Sequence, residues 1–356
     1  MANIMRMNNT ERISKESMKR DPYWDTLKFI LIFCVVVAHC VQIYKPDGGI
    51  NRALFNCFLT ILMPVFIFIS GMFSQMKDRD KYKKGILRIF ETYIIFQAIM
   101  VGMKIIPALI HDTLTLQSII TTILEPQFAL WYLLSLCSWR LILLYIPERF
   151  LHENPREIML ASILTSLLGG FFPVGETLSL QRTITYIPFF FMGYYANGDE
   201  VKKYIAKIPV ILAIVVLLSC FLIYYFVLNY NLMFILCGKT PYWSVAGYSP
   251  FELLLARGLL LIFATVTGFM LMRLTPTKPT FFSQWGRITL FIYVYHTFAI
   301  DVLRFAVKRG FLPQNEWFLI LSSVFITMVL ISLSQIKFLN VLLNPISYFK
   351  ERKYIN

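Results

Sequence analysis

Ten runs of apolar residues, separated by short polar stretches, set the pattern of this chain: roughly 27–44, 52–75, 86–110, 128–146, 156–172, 183–197, 207–229, 251–274, 287–307 and 316–337. An α-helix rises 1.5 Å per residue, so about twenty apolar residues cross a hydrocarbon core of about 30 Å. Each run therefore predicts a membrane-spanning helix. The fifth and sixth runs are the shortest and are interrupted by Gly169-Gly170 and by Pro188. The longest connections, near 111–127 and 230–250, leave no room for a catalytic domain outside the membrane. Any chemistry must rest on helix-borne residues and short loops.

Composition agrees with this pattern. Hydrophobic residues make up 57% of the 356 and charged residues 15%, where soluble domains hold about 45–50% and about 25%. The expected fold class is an all-α integral membrane protein with about ten transmembrane helices. Its membrane domain is expected over 23–345, between tails at 1–22 and 346–356. The first 22 residues carry eight charges and no apolar stretch, unlike a signal peptide, so the first run predicts an uncleaved helix.

The net charge of +14 reads as the positive-inside bias rather than as a nucleic-acid partner. Lys and Arg crowd the N-terminal tail, the 77–84 loop (Lys77, Arg79, Lys81, Lys83, Lys84), the loops holding Arg149 and Arg156, Lys202, Lys203 and Lys207, Arg273 and Lys278, and the C-terminal tail. The intervening loops hold Lys45 and Arg52, then none, then Arg182, Lys239, and Lys308 with Arg309. Ten spans with both termini cytoplasmic keep that alternation at every loop.

An ionisable side chain at the centre of a span costs about 2.5–3.5 kcal/mol on insertion scales, so each one is a candidate for function. The first run carries the clearest set, Asp25, Lys28 and His39. Lys28 and His39 are eleven residues apart, which places them on one helix face about 16 Å apart. Asp25 shares that stripe, as does Asp21 if the helix reaches it. Lys28 can snorkel to the cytoplasmic interface and pair with Asp25. His39 lies too deep for that, leaving a neutral imidazole packed against a helix carbonyl or a general base in a polar cavity.

Elsewhere, His296 follows Tyr293 by one turn in the ninth run and, with Tyr293 and Glu91, reads as a second polar site or as packing. Arg88 and Glu91, three apart, can neutralise each other. Lys104, Arg140, Arg257 and the Asp301/Arg304 pair either line the same cavity or sit at interfaces. Trp131, Tyr132, Trp243 and Trp285 read as interface anchors. The six cysteines read as small buried hydrophobes. No His/Cys/Asp cluster has metal-ligand spacing, so neither a metal nor a permanently bound cofactor is expected.

A basic residue, ten intervening residues and a His on the first helix resemble the signature of acyltransferase family 3, membrane-bound enzymes that O-acetylate sugars. With Asp25 and Lys28 before His39, the chain looks most similar to the fucose 4-O-acetylase-like branch. Similar stretches follow in order: Phe66-Ile-Phe-Ile-Ser70-Gly71, Leu130-Trp131-Tyr132-Leu133, Tyr186-Ile-Pro188 through Gly193, and Gly286-Arg-Ile-Thr289 through His296.

The resemblance implies an enzyme of the bacterial cytoplasmic (inner) membrane that moves an acetyl group from acetyl-CoA to a hydroxyl of a cell-surface glycan or its lipid-linked precursor. It implies that His39 is the catalytic His with Lys28 as its basic partner, and that Lys84 and Arg88 contact the donor. Gly85 stands where many members carry a second Arg, a departure that weakens the expected two-arginine clamp. A polar relay of Lys28, His39 and His296 also suits a transporter or flippase of polyisoprenyl-linked saccharides. Internal repeats would favour that alternative, and the two halves show no convincing similarity.

The loop charges place residues 45–51 and 111–127 outside and the 77–85 loop in the cytoplasm. A membrane-impermeant thiol reagent applied to whole cells should label Gly48→Cys and leave Lys81→Cys unlabelled. The reverse pattern would invert the orientation.

Overall fold

The computed structural model describes residues 21–348 except 45–48, 174, 227–236 and 245–246. Residues 1–20 and 349–356 of the expected tails, Lys45, and the end of the seventh run lie outside the described residues. Among the described residues there is no strand, and every one of the ten apolar runs contains a helix.

In chain order the helices are α1 (Pro22–Val41), α2 (Ile50–Met72), α3 (Arg79–Ile110), α4 (Leu116–Leu124), α5 (Trp131–Tyr145), α6 (Glu148–Glu153), α7 (Pro155–Leu168), α8 (Leu180–Tyr194), α9 (Gly198–Ala206), α10 (Val210–Phe226), α11 (Pro250–Leu274), α12 (Thr289–Lys308), α13 (Glu316–Leu333) and α14 (Lys337–Leu343). A 3₁₀ segment, Phe281–Ile288, leads into α12.

Local chemistry sets the helix starts. Asp21 caps α1 by accepting the N–H of Tyr23 at 3.0 Å, with Pro22 in the first turn, where its missing N–H costs nothing. Asp78 caps α3 by accepting from the N–H groups of Lys81 and Asp80, both at 3.0 Å. Those bonds, Lys81 first, hold its carboxyl below the ordinary carboxylate value, so the cap stays charged.

α1 and α2 form the centre: 72% and 78% of their apolar windows are buried, against 22% for α3. The tightest crossing joins α2 and α8. A Cβ on Gly71 would lie 2.0 Å from the carbonyl oxygen of Phe190, and one on Gly193 would lie 1.9 Å from that of Phe68. Two of the motif stretches thus meet backbone to backbone, as small residues allow in membrane bundles. A third motif glycine does the same elsewhere. Gly286 in the 3₁₀ segment lies so close to α1 that a Cβ would come 2.0 Å from the Asp25 carbonyl oxygen. Thr26 of α1 adds a 2.7 Å hydroxyl contact to Ser283.

The loops gather at two ends. At one end Lys28 lies over the ring of Phe73 and Arg79 donates to the Leu144 carbonyl. There too Tyr195 donates to Leu151, Lys202 pairs with Asp21, and Arg273 donates to Ile208. These are the loops the charge bias assigns to the cytoplasm. At the other end Tyr44, Pro126, Arg182, Lys239 and Lys308 line one cavity, and all belong to the opposite set.

The expected count of ten full-length spans does not emerge from length. Six described helices are long and apolar enough to cross a membrane: α1, α2, α3, α11, α12 with its 3₁₀ lead, and α13. A seventh is reached if α9 and α10, bent by 94° at a break, form one span. Pro209, which precedes α10, explains that break, because proline removes a helical donor and clashes with the preceding turn. α5, α7 and α8 have 15, 14 and 15 residues, about 21–23 Å long. α7 gives way at Gly169-Gly170 to a 3₁₀ turn, whereas Pro188 is accommodated inside α8.

Gly193→Ala must separate α2 from α8, at or above the upper end of the roughly 1–3 kcal/mol typical of overpacking. Its unfolding temperature in detergent should fall clearly below that of the parent. An unchanged value would show that the crossing can open at no cost.

Candidate active site

His39 sits in the last turn of α1, half-buried, at the wall of a cavity of about 720 Å³. Gln42, one turn on, presents Oε1 3.4 Å from His39 Nδ1. The tautomer favoured by this contact carries its proton on Nδ1 and leaves the Nε2 lone pair available.

Phe128 covers the other side of the imidazole, with ring centroids 4.5 Å apart. Its φ of 51° is costly for a bulky residue, a strain that persists only where the surroundings impose it. Those surroundings are two buried glutamines. Gln97 of α3 accepts the Gln127 N–H at 2.9 Å and donates to the Glu125 carbonyl at 2.9 Å. The Gln127 side chain donates to the carbonyls of Thr122 and Glu125, both at 2.8 Å. The 122–128 segment is thereby fixed from within, and Phe128 is set against His39.

Behind His39 lies His296, fully buried on α12, with ring centroids 5.4 Å apart. His296 Nδ1 is 3.2 Å from the Ile292 carbonyl oxygen, and its Nε2 is buried with no hydrogen-bond partner among the described residues. From His296 a column of polar aromatic groups continues inward. Tyr293 is 5.9 Å away by ring centroids, and Tyr132 lies 5.5 Å beyond it. The Tyr293 hydroxyl donates to the Ala129 carbonyl, and the Tyr132 hydroxyl bonds the Ser70 hydroxyl. Ser74 donates to the Ser70 carbonyl at 2.6 Å, and Arg140 Nε donates to Ser74 at 3.1 Å. The column therefore runs from His39 to a guanidinium at the opposite end of the bundle. Tyr132 and Arg140 are eight residues apart on α5, so it covers about 12 Å along that helix.

The structure brings together His39, Tyr293 and His296 and places the other expected residues elsewhere. Lys28 and Asp25 form an ion pair at 3.0 Å toward the N-terminal end of α1, and neither lines the His39 cavity. Lys84 and Arg88 are exposed on α3. Glu91 is not with Tyr293 and His296: it accepts the Ile346 N–H at 2.5 Å and the Ser347 hydroxyl at 2.7 Å, holding the C-terminal segment. Trp131 and Tyr132 are not interface anchors. Both are buried, Trp131 against the cavity and Tyr132 in the column.

Four contributors were not singled out by sequence: Gln42, Gln97, Gln127 and Phe128. For Gln42 the signal was present, since it lies three residues after His39 on the same face. The other three depend on a loop conformation that no periodicity encodes. Arg140, unranked among several intramembrane cations, stands beside Gly85: a Cβ there would lie 3.8 Å from its Nη1.

Gln97→Leu removes the acceptor of the buried Gln127 N–H, a loss of about 1–3 kcal/mol. Hydrogen exchange should speed up at the amides of 125–129 and little elsewhere. Unchanged exchange there would assign the ordering of Phe128 to another contact.

Among comparisons with known proteins, residues 21–334 match a family described as an acyltransferase domain. No curated protein and no solved structure matches the chain.

Proposed function

The chain belongs to this acyltransferase family, and on that premise we propose that it is an O-acetyltransferase of the bacterial cytoplasmic membrane, acting on a sugar hydroxyl of a cell-surface polysaccharide or its lipid-linked precursor. The observation that supports this most is the two-ended site. His39 meets a cavity at one end, and the column through His296, Tyr293 and Tyr132 leads to Arg140 at the other.

Acetyl-CoA enters from the cytoplasmic end. Its phosphates face Lys84, Arg88 and Arg140, where the Arg140 guanidinium beside Gly85 restores the fork that a lysine lacks. The pantetheine arm follows the column, displacing side chains along it, and brings the thioester carbonyl beneath His39. The acceptor hydroxyl enters by the cavity.

His39 Nε2 takes the hydroxyl proton as the oxygen attacks the carbonyl carbon. The tetrahedral intermediate collapses with cleavage of the C–S bond. The imidazolium returns its proton to the departing thiolate, leaving an O-acetyl ester and free CoA. Gln42 orients the imidazole through Nδ1. The Lys28–Asp25 pair belongs to the donor end and acts on His39 only through the helix they share. Family membership favours this transfer over the flippase alternative.

The test is transfer of labelled acetyl from acetyl-CoA to cell-envelope glycan by purified protein in nanodiscs. His39→Ala should lose activity by at least the roughly 10²–10⁴-fold that general base catalysis supplies, with insertion unchanged. Replacing Arg88 and Arg140 with Gln should raise the donor KM more than it lowers kcat. Full activity in a well-folded His39→Ala protein would overturn the mechanism.

A further inference from the structure

The positive-inside bias leaves few cations for the outer end of the bundle, yet those present are concentrated on one feature. Arg182, Lys239, Arg304 and Lys308 all line the His39 cavity, against one lining carboxylate among the described residues, Glu176. Glu176 is shared: its two oxygens lie 3.5 Å from Arg182 Nη2 and 3.0 Å from Lys239 Nζ. Arg304 is held by Asp301 at 2.5 Å. Lys308, exposed at the end of α12, has no carboxylate within ion-pair distance among the described residues.

Both guanidiniums are also fixed by rings. Arg182 lies 5.1 Å from the centroid of Trp131, and Arg304 lies 5.4 Å from that of Phe128, the ring packed on His39. Such stacking orients an Arg before any ligand arrives. His296, Ile300, Arg304 and Lys308 recur at four-residue intervals along α12, a row that winds about 120° around the helix. Arg304 therefore stands about 12 Å, and Lys308 about 18 Å, outward from His296 along the helix axis. Loop charges placed only by topology would not converge on one cavity, nor be stacked and spaced along its wall.

We propose that this wall is an anion subsite for the acceptor: the glycan carries a carboxylate or a phosphate beyond the sugar whose hydroxyl reaches His39. The inference rests on the acyltransferase reading, since it takes the cavity as the acceptor's entrance. The anion docks against Arg304 and Lys308, which fixes the register of the glycan and so the hydroxyl presented. Glu176, held by two cations, closes the far wall and repels an anion bound too deep. A neutral glycan would leave Lys308 and the excess positive charge of this wall unanswered and gain no register from them.

Binding is measured on wild-type protein in nanodiscs of neutral lipid, by the rise in unfolding temperature, without acetyl-CoA. Four probes are used: methyl β-D-glucuronide, methyl β-D-glucoside, glucose 1-phosphate and inorganic pyrophosphate. At least one charged probe should stabilise the protein with an affinity on the order of tenfold above the glucoside, and added salt should weaken it. Stabilisation by the glucuronide alone would identify a carboxylate, and by the two phosphorylated probes alone a phosphate. Arg304→Gln and, at the exposed helix end, Lys308→Gln should each weaken the charged probes about tenfold and leave the glucoside unchanged.

The proposal fails if no charged probe binds, if the glucoside binds as well as the glucuronide, or if both variants bind the charged probes normally. It fails equally if the variants lose affinity for acetyl-CoA alone, which would give these cations to the donor. This readout uses neither His39 nor acetyl transfer. Loss of the acyltransferase reading would appear in the labelled-transfer assay and leave the binding result standing by itself.

Discussion

An imidazole in the last turn of a membrane helix can do chemistry only inside a compartment that protein rather than lipid encloses. Here that enclosure depends on one polar clamp. Gln97 and Gln127 satisfy the backbone of the segment between α4 and α5 from within. Irregular backbone at this depth is tolerated only when its N–H and C=O groups find partners in the protein. The clamp supplies them, and in doing so it forces Phe128 into a left-handed conformation against His39. Arg304 then stacks on the outer part of the same ring. The ring that covers His39 and on which Arg304 stacks is held in place by one set of hydrogen bonds.

The second constraint is thickness. A full bilayer core would hold a cytoplasmic donor and an external acceptor about 30 Å apart. α5 and α8 have 15 residues each, about 22 Å, which is shorter than such a core. The column takes about 12 Å of α5 between Tyr132 and Arg140, and ring-to-ring steps of 5.5, 5.9 and 5.4 Å continue it from Tyr132 to His39. The short segments that weaken a simple count of spans are the ones that flank this column. In the proposed reaction one extended thioester has to cover that path.

The helical segments, the alternation of their loops between two ends and the place of His39 as a polar residue in an apolar run were legible in the sequence, because apolar run length, loop charge and a polar residue in an apolar run are local signals. The motif glycines were legible as a pattern without a reason. Packing supplies it, since Gly71, Gly193 and Gly286 each face a neighbouring backbone. The partnership of Lys28 with His39 did not emerge: a shared helical face is not a shared site when the residues are about 16 Å apart along the axis. Glu91 was misplaced for a related reason. Its neighbour Arg88 is close in sequence, but its hydrogen-bond partners are Ile346 and Ser347, more than 250 residues away. Phe128 and its glutamines could not be read at all, because a loop held by side-chain-to-backbone bonds leaves no periodic trace.

The distribution of charge completes the logic of the site. Fixed charges stand at the two ends, as Lys28 with Asp25 and Arg140 on one side and Arg182, Lys239, Arg304 and Lys308 on the other. Between them lie only imidazoles, phenols and hydroxyls. A permanent charge in that middle would need a permanent partner, and losing either would strand the other. A column of neutral groups avoids this and lets charge exist there only while a proton is in transit. In the proposed reaction that moment comes when His39 becomes an imidazolium beside an anionic tetrahedral intermediate. The two opposite charges are created together and vanish together, so the column itself never holds an unmatched one. In that proposed reaction both substrates are recruited by charge at their distant ends while the bond-making atoms meet beside neutral groups of the column.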